Sequence, residues 1–154
     1  MKKTQSVCKF LVGLVLLTTL GVMGCSKKGD SPLLASKQYI LYNYSSGTGL
    51  QAGTFVINEL ADGNSSLTIS LADGYKVPGV TLKTYIVTPD STGGGQFIYA
   101  DLGNLDGGSG QATKSPVITN SDNMSIKYTS LVAQKGYLVK VLNGSNVQAI
   151  GPIQ

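Results

Sequence analysis

The side chains able to do chemistry are few, and the missing ones narrow the field first. The 154 residues contain no histidine. Neither a Ser-His-Asp nor a Cys-His arrangement can therefore form, and no imidazole is present for copper, zinc or non-haem iron. Two cysteines, Cys8 and Cys25, eight carboxylates, twelve lysines, eight tyrosines and the hydroxyls remain. Carboxylate-pair hydrolysis needs two acids flanking one cleft, and no pair stands out by its spacing. One stretch does offer grouped oxygen ligands. DLGNLDGG, residues 101–108, reads as a loop presenting Asp101, Asn104, Asp106 and backbone carbonyls, the ligand types calcium takes. Its spacing departs from an EF-hand loop, whose ligands include positions 1, 3, 5 and 12, and Asp and Gly also build ordinary tight turns. The run Gly93-Gly94-Gly95 lacks the G-x-x-x-x-G-K-[ST] frame and helix of a phosphate cradle, and reads as a hairpin loop. Tyr39, Tyr42 and Tyr44 could stack on a sugar or a protein partner. As a strand, this segment puts Tyr42 and Tyr44 on one face with Ile40, and Tyr39 on the other with Leu41. That arrangement fits packing as well as display.

The start of the chain determines where these groups work. Lys2, Lys3 and Lys9 precede an apolar run over residues 10–23, the layout of a secretory signal peptide. The run falls short of the roughly 20 residues that a membrane-spanning helix needs. It ends in Val22-Met23-Gly24-Cys25, which resembles the lipobox of bacterial lipoproteins. That resemblance implies a signal peptide over 1–24, removed on export, and a diacylglyceryl group on the Cys25 thiol. A short tether, 25–36, would join this anchor to a domain over 37–154. Two acyl chains, palmitate among them, hold a protein stably on a bilayer where one chain holds it only reversibly. Ser26 stands where an inner-membrane retention signal would place aspartate, so the resemblance implies an outer-membrane lipoprotein, facing the periplasm or the surface.

Charge excludes a nucleic-acid partner. The net charge of +4 includes three lysines that leave with the signal peptide, so the rest of the chain holds nine lysines against eight acids. All twelve basic residues are lysine, which leaves no guanidinium fork for phosphate or guanine.

Beyond the tether, no long stretch has a helical period. Short Val-, Ile-, Thr- and Tyr-rich runs alternate with Gly, Asn and Asp instead. LTISL (67–71) alternates strictly and pairs with TFVINEL (54–60) across ADGN (61–64), where Asp-Gly accepts the positive φ of a tight hairpin. TLKTYIV (81–87), QFIYA (96–100), SIKYT (125–129), GYLVKVL (136–142) and VQAI (147–150) read as further strands, with YILYNY (39–44) before them. Seven or eight closely spaced strands predict an all-β fold, an antiparallel sandwich or flattened Greek-key barrel.

Several of these segments together resemble bacterial CHRD (chordin-type) domains, whose β-sandwich is like that of Cu,Zn superoxide dismutase. They are GTFVINELADG (53–63), GGGQFIYADLGNLDGGSG (93–110), IKYTSL (126–131), GYLVKV (136–141) and AIGPI (149–153). The family's histidines are absent here: the corresponding regions read KVPGVTLKTY (76–85) and VKVL (139–142). The resemblance therefore implies the sandwich without its metal chemistry, and no cofactor is expected. The functional expectation is a non-catalytic binding or structural module on the membrane surface, partnered by an envelope protein or polysaccharide. The alternatives are a metal-dependent module using the 101–106 loop and, behind it, a carboxylate-based hydrolase.

Overall fold

A computed structural model describes residues 34–43, 49–89 and 96–154 of the chain. The expected signal peptide, Cys25, the tether up to residue 33, Tyr44 and Gly93–Gly95 lie outside the described residues. Eight strands run in order: β1 Ser36–Asn43, β2 Leu50–Glu59, β3 Ser65–Leu71, β4 Thr81–Pro89, β5 Gln96–Asp106, β6 Gln111–Lys114, β7 Leu138–Asn143 and β8 Asn146–Pro152. Alternation sets their inner faces. Phe55 and Ile57 of β2, and Leu67, Ile69 and Leu71 of β3, all point into the core, as the period-2 pattern predicts. The turn 61–64 joins them, with Asn64 accepting Leu60 N–H at its carbonyl.

The strands close into a barrel in the order β1-β2-β3-β6-β5-β4-β7-β8, with every pair antiparallel. After the run β4-β5-β6, β7 returns to lie beside β4, which is the Greek-key connection. Two joints in the ring are slight: β5 meets β6 only at Asp106 and Gln111, and β1 meets β8 only at Tyr42 and Ile150. The ring is thus a barrel flattened into two four-stranded sheets, β1-β2-β3-β6 and β5-β4-β7-β8, joined at these two short seams.

Three expectations are corrected. Residues 125–129 do not form a strand: Ser125 and Lys127 make isolated bridges to Ile118 and Asn64, and a short helix, α1 (Tyr128–Val132), follows. This segment crosses one end of the barrel, so it has no neighbouring strand to pair with along its length. Its apolar residues Ile126, Tyr128 and Leu131 are buried as a plug with Val117, and the 128/131 pair has helical spacing. The expected loop at 101–108 is strand as far as Asp106, and the turn occupies 107–110. Leu102 and Leu105 are three apart, so an unbroken strand would send them to opposite faces. Asp101 pairs with Tyr85 and Gly103 with Thr84, so a bulge leaves Leu102 as the extra residue against β4; with Gly103 at a φ of +88°, both leucines turn inward. Finally, β6 was not expected at all, since QATK has only Ala112 as an apolar residue.

Candidate functional site

The bulge that buries Leu102 and Leu105 also disperses the expected calcium ligands. Asp101, Asn104 and Asp106 are all exposed on β5. At about 3.3 Å per residue along a strand, the two aspartates stand roughly 15 Å apart. Each is occupied separately. An Asp101 carboxylate oxygen accepts the Gly103 N–H at 2.7 Å, the Asn104 amide oxygen accepts Lys83 Nζ at 2.8 Å, and Asp106 Oδ1 accepts the Ser109 N–H at 2.6 Å. That last bond, to the backbone of Ser109, is the main cause of a lowered Asp106 pKa. Asp106 is thus the cap of the β5–β6 turn. Among the described residues no three His, Cys, Asp or Glu side chains converge. Because calcium requires six to eight oxygens at 2.3–2.6 Å, neither EDTA nor millimolar Ca²⁺ is expected to move the unfolding midpoint by more than about 1 °C. A site filled to 100 times its Kd would add about 2.7 kcal/mol, so a shift of several degrees in a thermal melt would reverse this assignment.

The tyrosines of β1 separate as the alternation requires. Tyr39 is buried, its ring stacked on Phe55 at 4.8 Å between centroids with planes 9° apart. Lys37 Nζ lies 5.2 Å above it. Tyr39 therefore packs against the core, the packing alternative of the two open to it. Tyr42 is half-buried beside Ile40 on the outer face, near Pro152 of β8, and Tyr44 lies outside the described residues. Burial raises the Tyr39 pKa, and its hydroxyl has no hydrogen-bond partner among the described residues. A buried polar group left unpaired costs about 1–3 kcal/mol. Tyr39→Phe, which keeps the stack and removes the hydroxyl, is therefore expected to raise stability by about 1 kcal/mol in urea denaturation. A fall instead would reveal a partner for the hydroxyl.

An aromatic-lined candidate site lies elsewhere, at the end of the barrel where β4 finishes and β5 begins. A cleft of about 350 Å³ is lined by Thr88, Phe97, Ile98, Tyr99, Asn120, Ser121 and Tyr137. A second bulge makes it. Ala100 pairs with Ile86 and Ile98 with Val87, which leaves Tyr99 as the extra residue. Freed from the ladder, the Tyr99 carbonyl accepts the Asn120 N–H at 2.7 Å, drawing the 119–124 turn against β5. That turn is braced from within. Asp122 accepts from the Thr119 hydroxyl and from the Met124 N–H, and the Met124 carbonyl accepts the Thr119 N–H at 2.9 Å. Across the cleft Tyr137 meets Tyr99 edge to face, 4.8 Å between centroids and 65° between planes. The Tyr137 carbonyl accepts the Ile153 N–H at 2.9 Å, which fixes its backbone to the C-terminal segment. Burial, followed by the nearby Tyr137 and Asp122, raises the Tyr99 pKa, so its hydroxyl is neutral near pH 7. Phe97 stands at the mouth, 61% exposed. An aromatic-lined concavity with a few polar groups is the usual make-up of a ligand pocket.

None of these residues was singled out by sequence reasoning. Its one usable signal was Phe97-Ile98-Tyr99, three large residues in a row. A two-sided strand cannot bury all three on one face.

An all-β, flattened Greek-key barrel with an aromatic cleft at one end is the class that fold and site define. No protein-family model and no curated protein matches the chain. Among solved structures it is similar to a double mutant of a SOD-like protein from Bacillus subtilis, at 16% sequence identity and a TM-score of 0.45, over 75% of this chain and 95% of that one.

Proposed function

We propose that this protein is an outer-membrane lipoprotein anchored through Cys25, whose barrel is a non-catalytic binding module of CHRD-like type. The observation that carries the reading is the cleft of Phe97, Tyr99 and Tyr137. It gives the barrel a preformed place to hold a ligand, with a large ring exposed at its mouth. The sequence adds the chemical side of the case. Without histidine or arginine, the chain lacks the commonest general acid–base group and the bidentate fork for phosphate. Partners are then a bilayer, through the acyl chains, and an envelope protein or polysaccharide, through the cleft.

The anchor is tested in cells making the full chain with labelled palmitate. The wild type is expected to take up label and sediment with outer membranes, and Cys25→Ala to lose both. Unlabelled wild-type protein would end the lipoprotein reading. A catalytic activity that survives purification and disappears on changing one carboxylate would end the non-catalytic one.

A further inference from the structure

We propose that the Phe97–Tyr137 cleft takes the ring of a neutral saccharide, an inference that rests on the cleft being the binding site. A pyranose has two chemically different surfaces: a face of C–H bonds, which is apolar, and an edge of hydroxyls, each both donor and acceptor. The cleft presents the complement of both. Phe97 supplies a flat apolar surface open to solvent. Tyr99 and Tyr137, held at 65° to one another, supply two walls at an angle rather than one sheet of apolar surface. Thr88, Asn120 and Ser121 flank the rings. A hydroxyl and a carboxamide are the side chains that both give and accept hydrogen bonds, so they suit a partner made of hydroxyls.

Charge decides against the competing small ligands. Among the described residues that line the cleft there is no lysine, so a phosphate or carboxylate ligand would find no counter-charge on them. Asp122, the acid whose charge reaches Tyr99, is engaged by Thr119 and by the Met124 backbone, and it holds the turn rather than facing a cation. A purely apolar chain would cover the amide and hydroxyls without pairing them, which is unfavourable. The geometry is also fixed before binding. The Asn120 N–H to Tyr99 carbonyl bond ties the polar side of the cleft to its aromatic side, so little ordering is needed when a ligand arrives.

The test uses the full lipidated chain in detergent micelles. It is titrated by calorimetry with neutral hexasaccharides of glucose, mannose, xylose and N-acetylglucosamine, and with polygalacturonate as the anionic control. At least one neutral hexasaccharide is expected to bind. Phe97→Ala should weaken it tenfold or more and Asn120→Ala severalfold, with unchanged unfolding midpoints, because both side chains are exposed. Failure of every neutral hexasaccharide to bind, an affinity unchanged by Phe97→Ala, or binding confined to polygalacturonate would overturn the proposal. The palmitate label reads the anchor independently, so loss of saccharide binding with retained label removes this inference alone. Should Phe97→Ala instead release an envelope protein that co-purifies with the wild type, the module has a protein ligand and the saccharide assignment falls.

Discussion

Alanine in place of Gly151 is expected to lower the unfolding midpoint by roughly 10 °C or more, although the change adds a single methyl group. Gly151 lies buried on β8, next to the slight joint through which β8 meets β1. A Cβ at this position would sit 2.3 Å from the Ile40 carbonyl oxygen and 3.0 Å from Cε1 of Phe55. The first obstacle is backbone, which cannot swing aside as a side chain can. The methyl can be accommodated only if β8 withdraws from β1, and that opens the ring at the place where one residue pair closes it. Overpacking usually costs about 1–3 kcal/mol, and more when the surroundings cannot yield. We place this variant at or above the top of that range. The matched control is Gly74→Ala: a Cβ there meets nothing within 4 Å, so its midpoint should stay where it is. Differential scanning calorimetry of the two variants decides the matter. A Gly151→Ala midpoint within 2 °C of wild type would mean that β8 has room to move and that the joint is not tight.

The second large effect is at Phe55, the largest fully buried side chain among the described residues. Its ring touches both sides of the same joint: it stacks on Tyr39 of β1 and would be met by any side chain at Gly151 of β8. Phe55→Ala removes the ring and leaves a cavity that the two sheets cannot collapse to fill, a change that costs about 3–5 kcal/mol. Small domains are stable by only about 5–15 kcal/mol in all, so this one truncation should consume a large share. Chemical denaturation should show a lower midpoint with an unchanged slope, as expected when stability falls without a change in the surface exposed. The pair also gives a coupling test. Gly151→Ala costs less once the ring is gone, because one of its two clashes has been removed, but the clash with the Ile40 carbonyl persists. The double variant should therefore be more stable than the sum of the single losses predicts, yet well below wild type. Strict additivity would show that the ring and the strand do not contact one another as described.

How far the sequence alone reaches is seen by comparing particular elements. LTISL and TFVINEL disclose their inward faces because a strand repeats every two residues, and each position's burial is recorded in its own side chain. The same rule separates Tyr39 from Tyr42. It fails at two places for definite reasons. In DLGNLD the apolar residues are three apart, and only the bulge that leaves Leu102 as an extra residue reconciles that spacing with a strand. In IKYTSL the apparent alternation continues into α1, because the segment spans the barrel's end and has no ladder to join. β6 shows the converse case, a strand formed because β3 offers it a partner along four residue pairs rather than because QATK favours one.

The sequence by itself determined which side-chain types this chain lacks, the apolar run ending in VMGC, and the inward residues of most strands, since each of these is a property of residue type or of neighbours along the chain. Only the tertiary structure decided that Asp101, Asn104 and Asp106 are spread along a strand, that Tyr39 is buried in the core, and that Thr88, Phe97, Tyr99, Asn120 and Tyr137 share one cleft. Those residues come from the end of β4, the start of β5 and both parts of the connection between β6 and β7. Their meeting depends on a bulge in one pair of strands and on the Greek-key return of β7 to β4. Both are choices of pairing between distant segments, which a local pattern of side chains does not record.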